Sequence, residues 1–399
     1  MATKPKIAIA GAGVGGLVAA LALLRRGFDV DVYEQAPELR ELGAGLQISA
    51  NGTRVLIALG LGERIGDIAC VPEGKQVRLY STGQTWKLFD LGETSVRRYG
   101  APYWMVHRGD LHTALIDALV EAKPDALHLG CKLTDLEQDG EGVTLRFENG
   151  SDARADALVG ADGVHSRVRH VLFGEMPAQF MGVAAWRGLV PMDQLPPHLR
   201  RLVGTNWVGP GGHVITYPLR RGEILNFVAA IERDNWAVES WTERGTQAEC
   251  AADFVGWHED IQEIVSKIEI PYKWALLGRE PLEKWTVGRA TLLGDSCHPT
   301  LPMLAQGANM AIEDGMVLAR AIEAQPDDVP AALRRYEKAR VTRTGEIVRR
   351  STEAARRFHN PALGDASGAA AYVDREWTPE KIEARYGWLF EYDALRVEV

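Results

Sequence analysis

Ile7-Ala8-Ile9-Ala10-Gly11-Ala12-Gly13-Val14-Gly15-Gly16-Leu17, with Asp29-Val-Asp-Val-Tyr-Glu34 after it, is the stretch that decides the fold. Residues 5–10 are short and apolar, the pattern of a buried strand. Residues 15–26 put Leu17, Val18, Leu21 and Leu24 on one helical face, and residues 29–34 alternate as a second strand. Strand, glycine turn, helix and strand predict a βαβ unit with a right-handed crossover. The glycines fit G-x-G-x-x-G, and each has a physical role. Gly11 makes the tight turn, Gly13 lets backbone approach a pyrophosphate, and Gly16 lets helix and strand pack closely. The helix N-terminus offers free N–H groups and a partial positive charge to phosphates. Glu34 ends the second strand 23 residues after Gly11, where it can accept both hydrogens of a ribose diol. The bland alternative is a glycine-rich turn before a charged strand end; the strand-turn-helix setting favours a dinucleotide site.

The uncharged run from Ile7 to Leu24 also has the length of a signal peptide or membrane span. Four glycines within residues 11–16 would break such a helix, and Arg25-Arg26-Gly27 reads as a basic last turn and glycine stop. No later segment is long and apolar enough to span, so a soluble protein with no membrane partner is expected. A chain of 399 residues suggests two or three domains. Its 46% hydrophobic and 25% charged residues exclude a disordered, collagen-like or small disulfide-scaffold protein. With 45 Lys+Arg against 54 Asp+Glu the net charge is −9, which argues against a nucleic-acid partner. Cys70, Cys131, Cys250 and Cys297 form neither C-x-x-C nor a zinc-like pairing with His. No metal site and a reducing, cytoplasmic setting are therefore expected.

Further along, a helix is predicted from about Gly109, two strands at 127–148 joined near Asp139-Gly140, and an apolar strand at 156–161. From about 176 to 285 the character changes. Seven of the eleven Trp fall here, with alternating stretches at His213–Leu219 and Ile224–Ile231, which predicts an antiparallel sheet with a ligand-facing side. A buried-type strand at 289–293 and a helix near 307–324 return to α/β character. The expected organisation is α/β: a Rossmann-like domain of parallel sheet over 1–175 and 286–330, an inserted antiparallel-sheet substrate domain over 176–285, and a C-terminal helical segment over 331–399. Residues 331–357 hold nine Lys/Arg against three Glu. In an acidic chain that is read as a solvated or subunit-facing helix, the latter consistent with a homodimer.

Two more segments decide which dinucleotide. Residues 158–169 read Leu-Val-Gly-Ala-Asp-Gly-Val-His-Ser-Arg-Val-Arg, and 292–299 read Leu-Leu-Gly-Asp-Ser-Cys-His-Pro. With the glycine fingerprint and Ala-Gln-Gly-Ala-Asn-Met-Ala-Ile-Glu-Asp at 305–314, the chain resembles the single-component FAD-dependent aromatic hydroxylases over nearly its whole length. The resemblance implies bound FAD, transient NADH or NADPH, O₂ as co-substrate, and oxygen transfer from a flavin C4a-hydroperoxide. It implies that Glu34 holds the adenosine ribose, that Arg108 meets the phosphate region, and that Asp162 acts through its surrounding backbone. Asp295 would bind the ribityl or pyrophosphate part of FAD. Gly43-Ala44-Gly45-Leu46-Gln47 resembles the mobile segment beside the isoalloxazine. The N–H groups of Gly307, Ala308 and Asn309 would then face the flavin edge that becomes negative on reduction. For Asp162 a turn or helix-cap aspartate stays open as the alternative.

Within that family the chain is most similar to the hydroxybenzoate group, which includes 3-hydroxybenzoate 6-hydroxylase, salicylate hydroxylase and 6-hydroxynicotinate monooxygenase. Gly45-Leu46-Gln47, Arg98-Tyr99-Gly100, His107-Arg108 and the stretch from His213 through Tyr217 to Asn226 carry this. The implied substrate is a small phenolic aromatic acid. His213 and Tyr217 share a face of the predicted strand, ~13 Å apart at ~3.3 Å per residue, so they would line opposite ends of one pocket. A neutral His can take a phenol proton, and a tyrosine hydroxyl can orient a ring substituent. Pro302 matches a loop proline set against the substrate. The 3-hydroxybenzoate enzyme has glutamine at that place. The salicylate and 6-hydroxynicotinate enzymes follow the proline with histidine where this chain has Met303, and the salicylate enzyme replaces Tyr217 by phenylalanine. The pocket therefore matches no single member. Trp186-Arg187-Gly188 is read either as a carboxylate clamp or as a buried structural arginine.

Overall fold

A computed structural model describes residues 4–39, 44–234, 243–365 and 368–399. The N-terminal apolar run divides as its glycines require, into the strand Lys6–Ala10 and the helix Val14–Leu24. That strand is central in a five-stranded parallel sheet, ordered Ala290–Leu292, Ala157–Gly160, Lys6–Ala10, Asp29–Tyr33, Leu127–His128. The helix is buried almost all round rather than on one face, because it is wedged between this sheet and the helices Gly307–Ala324 and Arg108–Ala122. Gly315 makes the helix pairing tight: a Cβ there would lie 2.7 Å from Ala19 N. Among the described residues no helix is long and apolar enough to cross a membrane.

The second layer is a seven-stranded sheet, ordered Tyr272–Gly278, Gln179–Pro191, Ile224–Glu232, Gly212–Leu219, Val203–Gly209, Gly74–Leu79, Thr85–Asp90. The inserted segment thus builds most of this sheet. It also recruits the hairpin 74–90, which sequence order alone assigns to the first Rossmann segment. The recruited strand Gly74–Leu79 joins parallel to Val203–Gly209, whose free edge it covers. A two-stranded ribbon, Gly45–Ile48 against Trp104–His107, lies next to the large sheet, and a three-stranded meander spans Leu133 to Ala155. Gly307–Ala324 begins and ends where the sequence predicts.

The basic segment forms one long helix, Val329–Phe358, but its charges are not all outward. Arg340 is fully buried and pairs with Glu313 at 2.6 Å and Asp314 at 2.7 Å, and Arg343 pairs with Glu313 at 2.9 Å. The reading of this helix as solvated or subunit-facing is corrected for that inner face. The positive charge there answers two carboxylates of the helix beginning at Gly307. Two further helices, Gly368–Glu376 and Pro379–Glu391, complete the C-terminal segment.

Candidate active site

The glycine turn has the geometry its residues predict. Gly11 has φ +107°, and a Cβ on it would lie 2.4 Å from Ala161 O; on Gly16 it would lie 2.1 Å from Gly11 O. Gly13 differs, because a Cβ there meets nothing within 4 Å. Its backbone faces open space at the start of the helix, the space a pyrophosphate would take. Glu34 is tied into the same turn, its two oxygens accepting from Ala12 N and Ala36 N, each at 2.9 Å. Each carboxylate oxygen keeps a further acceptor position for a ribose hydroxyl.

Asp162 spends its carboxylate on its own turn, accepting from Ser166 Oγ at 2.5 Å, Arg167 N at 2.7 Å and Val168 N at 3.0 Å. It shapes that loop, and the open alternative of a turn aspartate describes its side chain. Asp295 is the opposite case. It remains exposed, yet surrounding protein raises its carboxyl above the usual range against the pull of His298 and Arg108. Arg108 opens the helix Arg108–Ala122, and its charge is also felt by Arg187.

The helix Gly307–Ala324 has no capping side chain, and Gly307 and Ala308 are part-exposed. Its first-turn N–H groups form a ready anion site. The side chain of Asn309 serves elsewhere, since Oδ1 accepts from Ser49 N at 3.0 Å and Nδ2 donates to Gln47 O at 2.9 Å. It clamps the strand Gly45–Ile48 to the helix start and so fixes Gln47. Ala305, at φ +52° without being glycine, holds the bend between Pro302–Leu304 and this helix. Pro302 is exposed, while Leu301, Met303 and Leu304 pack in the cluster that contains Tyr217. Gly43, also part of the predicted flavin-side segment, lies outside the described residues.

Tyr217 is buried with its ring against Gly45, where a Cβ would come within 2.5 Å of the ring. Burial pushes its phenol well up, so the hydroxyl stays protonated. The register of Gly212–Leu219 runs without a bulge, so His213 and Tyr217 do share a face. His213 is buried, and its Nδ1 lies 2.6 Å from His359 Nε2, while His359 Nδ1 lies 3.1 Å from the Glu232 carboxylate. His213 therefore sits inside the fold and not at its rim. Since Glu232 can only accept, His359 carries its proton on Nδ1 and accepts on Nε2. His213 must then donate from Nδ1, which leaves its Nε2 lone pair free. Burial, with His359 beside it, holds His213 well below the ordinary histidine value, hence neutral.

Four side chains of this region, Lys75, Tyr103, Asn226 and His359, carry no sequence signal of their own. Gln47 Oε1 accepts from Lys75 Nζ at 2.9 Å and from Tyr103 OH at 2.8 Å. Asn226 Oδ1 accepts from Gly45 N at 2.9 Å, and its Nδ2 is buried with no partner among the described residues. His359 comes from the end of the basic helix. Of the four only Asn226 lies in a motif quoted above. The others stand where register and a 146-residue loop closure bring them. The open space at Gly13, the uncapped helix at Gly307 and the orphaned Asn226 donor fit a long cofactor running from the parallel sheet to the large sheet.

The parallel sheet with its glycine turn is thus joined to a large sheet whose inner face carries the buried Tyr217, an arrangement that fits a dinucleotide-dependent enzyme. The family described as "FAD binding domain" matches residues 4–351. The 3-amino-4-hydroxybenzoate 2-monooxygenase of Streptomyces platensis is 39% identical over 99% of this chain and 98% of its own. The 3-hydroxybenzoate 6-hydroxylase of Polaromonas naphthalenivorans is 36% identical over 97% of this chain and 96% of its own. Among solved structures, Klebsiella pneumoniae HpxO with FAD and uric acid superposes with a TM-score of 0.82, at 28% identity, over 98% of this chain and 96% of that one. The chain belongs to this FAD-binding family, within the group A flavoprotein monooxygenases, and is an FAD-dependent aromatic monooxygenase. FAD, a nicotinamide reductant and O₂ are its cofactors and co-substrate.

Proposed function

We propose that the chain hydroxylates a phenolic aromatic carboxylate of the salicylate or 3-hydroxybenzoate type, taking electrons from NADH or NADPH. A hydroxylated N-heteroaromatic acid is the second reading. It is favoured by 36% identity to the 6-hydroxynicotinate 3-monooxygenase of Pseudomonas fluorescens over 88% of this chain and 91% of that one. The observation that carries the proposal is the free Nε2 acceptor of His213 on the same sheet face as Tyr217.

The Gly11–Gly16 turn and Glu34 would hold the adenosine end of FAD, Arg108 and Asp295 its middle, and the Gly307–Asn309 backbone its flavin edge. Bound there and reduced, FAD supplies the oxygen-transfer chemistry. His213 Nε2 accepts the phenol proton, and a neutral, weakly basic imidazole passes it on rather than storing it. The Nδ1 proton moves to His359, whose own Nδ1 proton moves toward Glu232. Glu232 is 57% exposed at its side chain, so the chain ends at water. Tyr217, held protonated, donates to a ring substituent, and the Pro302–Leu304 turn helps exclude water from the reacting atoms. Four free cysteines accord with a cytoplasmic setting.

The test is NADH and NADPH oxidation with oxygen uptake by the FAD-loaded protein. The substrates are salicylate, 3-hydroxybenzoate, 4-hydroxybenzoate, 3-amino-4-hydroxybenzoate and 6-hydroxynicotinate, with products weighed by mass spectrometry. One acid that stimulates turnover and gains one oxygen establishes the reading. No stimulation by any of them removes the aromatic-acid assignment and leaves the flavoprotein standing.

A further inference from the structure

Lys75 is a buried cation with no anion to answer it among the described residues. It is 9% exposed in the strand Gly74–Leu79, and its register partner is Gly204. Thr205 pairs with Thr216 on the next strand, which sets Gly204 beside Tyr217, and Tyr217 pairs with Asn226. Lys75, Gly204, Tyr217 and Asn226 therefore form one row on one face of the large sheet. Two strand spacings separate Lys75 from Tyr217, about 10 Å, with a glycine between them. Met105 and the stem of Lys75 pack over that glycine, so the row presents a cation on one side of them and a tyrosine hydroxyl on the other.

The ammonium has three donors, and the structure uses one of them, on Gln47 Oε1 at 2.9 Å. No carboxylate among the described residues pairs with it. Burial holds Lys75 down to about 8, with no neighbouring charge contributing. An ammonium buried without a counter-charge is costly, and fold stability gives no reason to keep one. Arg187 stands on the same face four strands away, stacked on Tyr272 and Trp274. At about 19 Å it is too far to share a single ring's substituents with Lys75.

We propose that Lys75 is the specificity-determining anchor for the substrate's carboxylate, taking it by a charge-assisted hydrogen bond while Tyr217, across Gly204, holds a ring substituent. This rests on the aromatic-acid reading above. The test is a binding titration of the FAD-loaded protein, followed by the change in flavin absorbance. Each of the five acids is used with its uncharged carboxamide. Wild type is expected to prefer the acid. Lys75→Met should weaken the acid about 10- to 100-fold, the loss of one charged hydrogen bond, and the carboxamide by less than about threefold. Lys75→Gln, which can keep a hydrogen bond to Gln47, should show the same contrast, and FAD affinity should hold in both. Acid binding within about threefold of wild type, or equal loss of acid and carboxamide, would overturn the assignment of Lys75 alone. Absence of acid binding in wild type would instead bring down the aromatic-acid reading, and this inference with it.

Discussion

Arg340→Leu removes the cation at the centre of a charge cluster that no water reaches. Arg340, Glu313 and Asp314 all have 0% exposed side chains, and the arginine bridges the two carboxylates at 2.6 and 2.7 Å. After the change Glu313 keeps Arg343 at 2.9 Å and Asn51, while Asp314 keeps His298 at 2.6 Å. Removing one partner of a buried pair costs about 3–5 kcal/mol, a large share of the ~5–15 kcal/mol that holds a domain folded. Burial alone would raise both carboxyls. In Glu313 the pull of Arg343 and Arg340 overcomes it, and in Asp314 that of His298 and Arg340, so both lie below the usual range. Their stabilising contribution is therefore present above the unfolded carboxyl value near 4 and lost as pH falls through the lowered ones. Without Arg340 the carboxyls rise, and protonation relieves them earlier. The deficit of the variant should then be largest near pH 8 and shrink toward pH 5. Urea unfolding of wild type and variant at the two pH values measures it. A deficit under about 1 kcal/mol, or one that does not change with pH, would refute the account of a desolvated cluster held by Arg340. Asp314 also accepts from Gly294 N at 3.1 Å, beside Asp295, so FAD affinity should fall in parallel.

Two glycines of one motif should fail differently. Gly11→Ala, at φ +107° and 2.4 Å from Ala161 O, should lower the urea midpoint, whereas Gly13→Ala, with nothing within 4 Å, should leave it alone and weaken FAD about tenfold or more, read from quenching of flavin fluorescence. Tyr217→Phe should keep FAD binding and lower kcat/KM for the preferred acid about tenfold, the worth of one hydrogen bond in the pocket. His359→Phe interrupts the proton path proposed beyond His213; its turnover should fall below the substrate phenol's own pKa and recover above it, and a loss uniform across pH would refute a proton role. Burial lowers His213 and, against Glu232, also His359. The unfolded chain therefore takes up more protons as pH drops below about 6.5, and stability should fall by up to ~1.4 kcal/mol per pH unit for each; His213→Asn should flatten the slope.

What is legible in the sequence follows from what is local. Strand, turn and helix at residues 6–24 follow from apolar spacing and from glycines whose backbone needs are met within a few residues. Helix Gly307–Ala324 follows from its own periodicity. The hairpin 74–90 is not legible as part of the substrate-side sheet, because its parallel partner, Val203–Gly209, lies more than a hundred residues away. Packing between separate elements hides the inner face of the basic helix in the same way. Arg340 reads as solvated until Glu313 and Asp314 are packed against it, and a count of nine cations cannot say which one turns inward.

The candidate site divides along the same line. Residues proposed to meet the cofactor lie in short motifs, since a glycine turn, a strand end or a helix start would itself be the binding device. Glu34 accepting from Ala12 N shows the motif folding onto itself. Residues proposed to meet the substrate lie in single positions of separate strands, aligned only by sheet register: Lys75 beside Gly204, Gly204 beside Tyr217, Tyr217 against Asn226. His213 reaches its tautomer through His359, 146 residues on. A family that keeps its cofactor motifs while exchanging row residues changes its substrate without disturbing its flavin. In this chain the row offers a cation, a glycine covered by Met105, a tyrosine and an asparagine. Swapping Lys75 or Tyr217 should therefore alter which acid is accepted before it alters whether FAD is held.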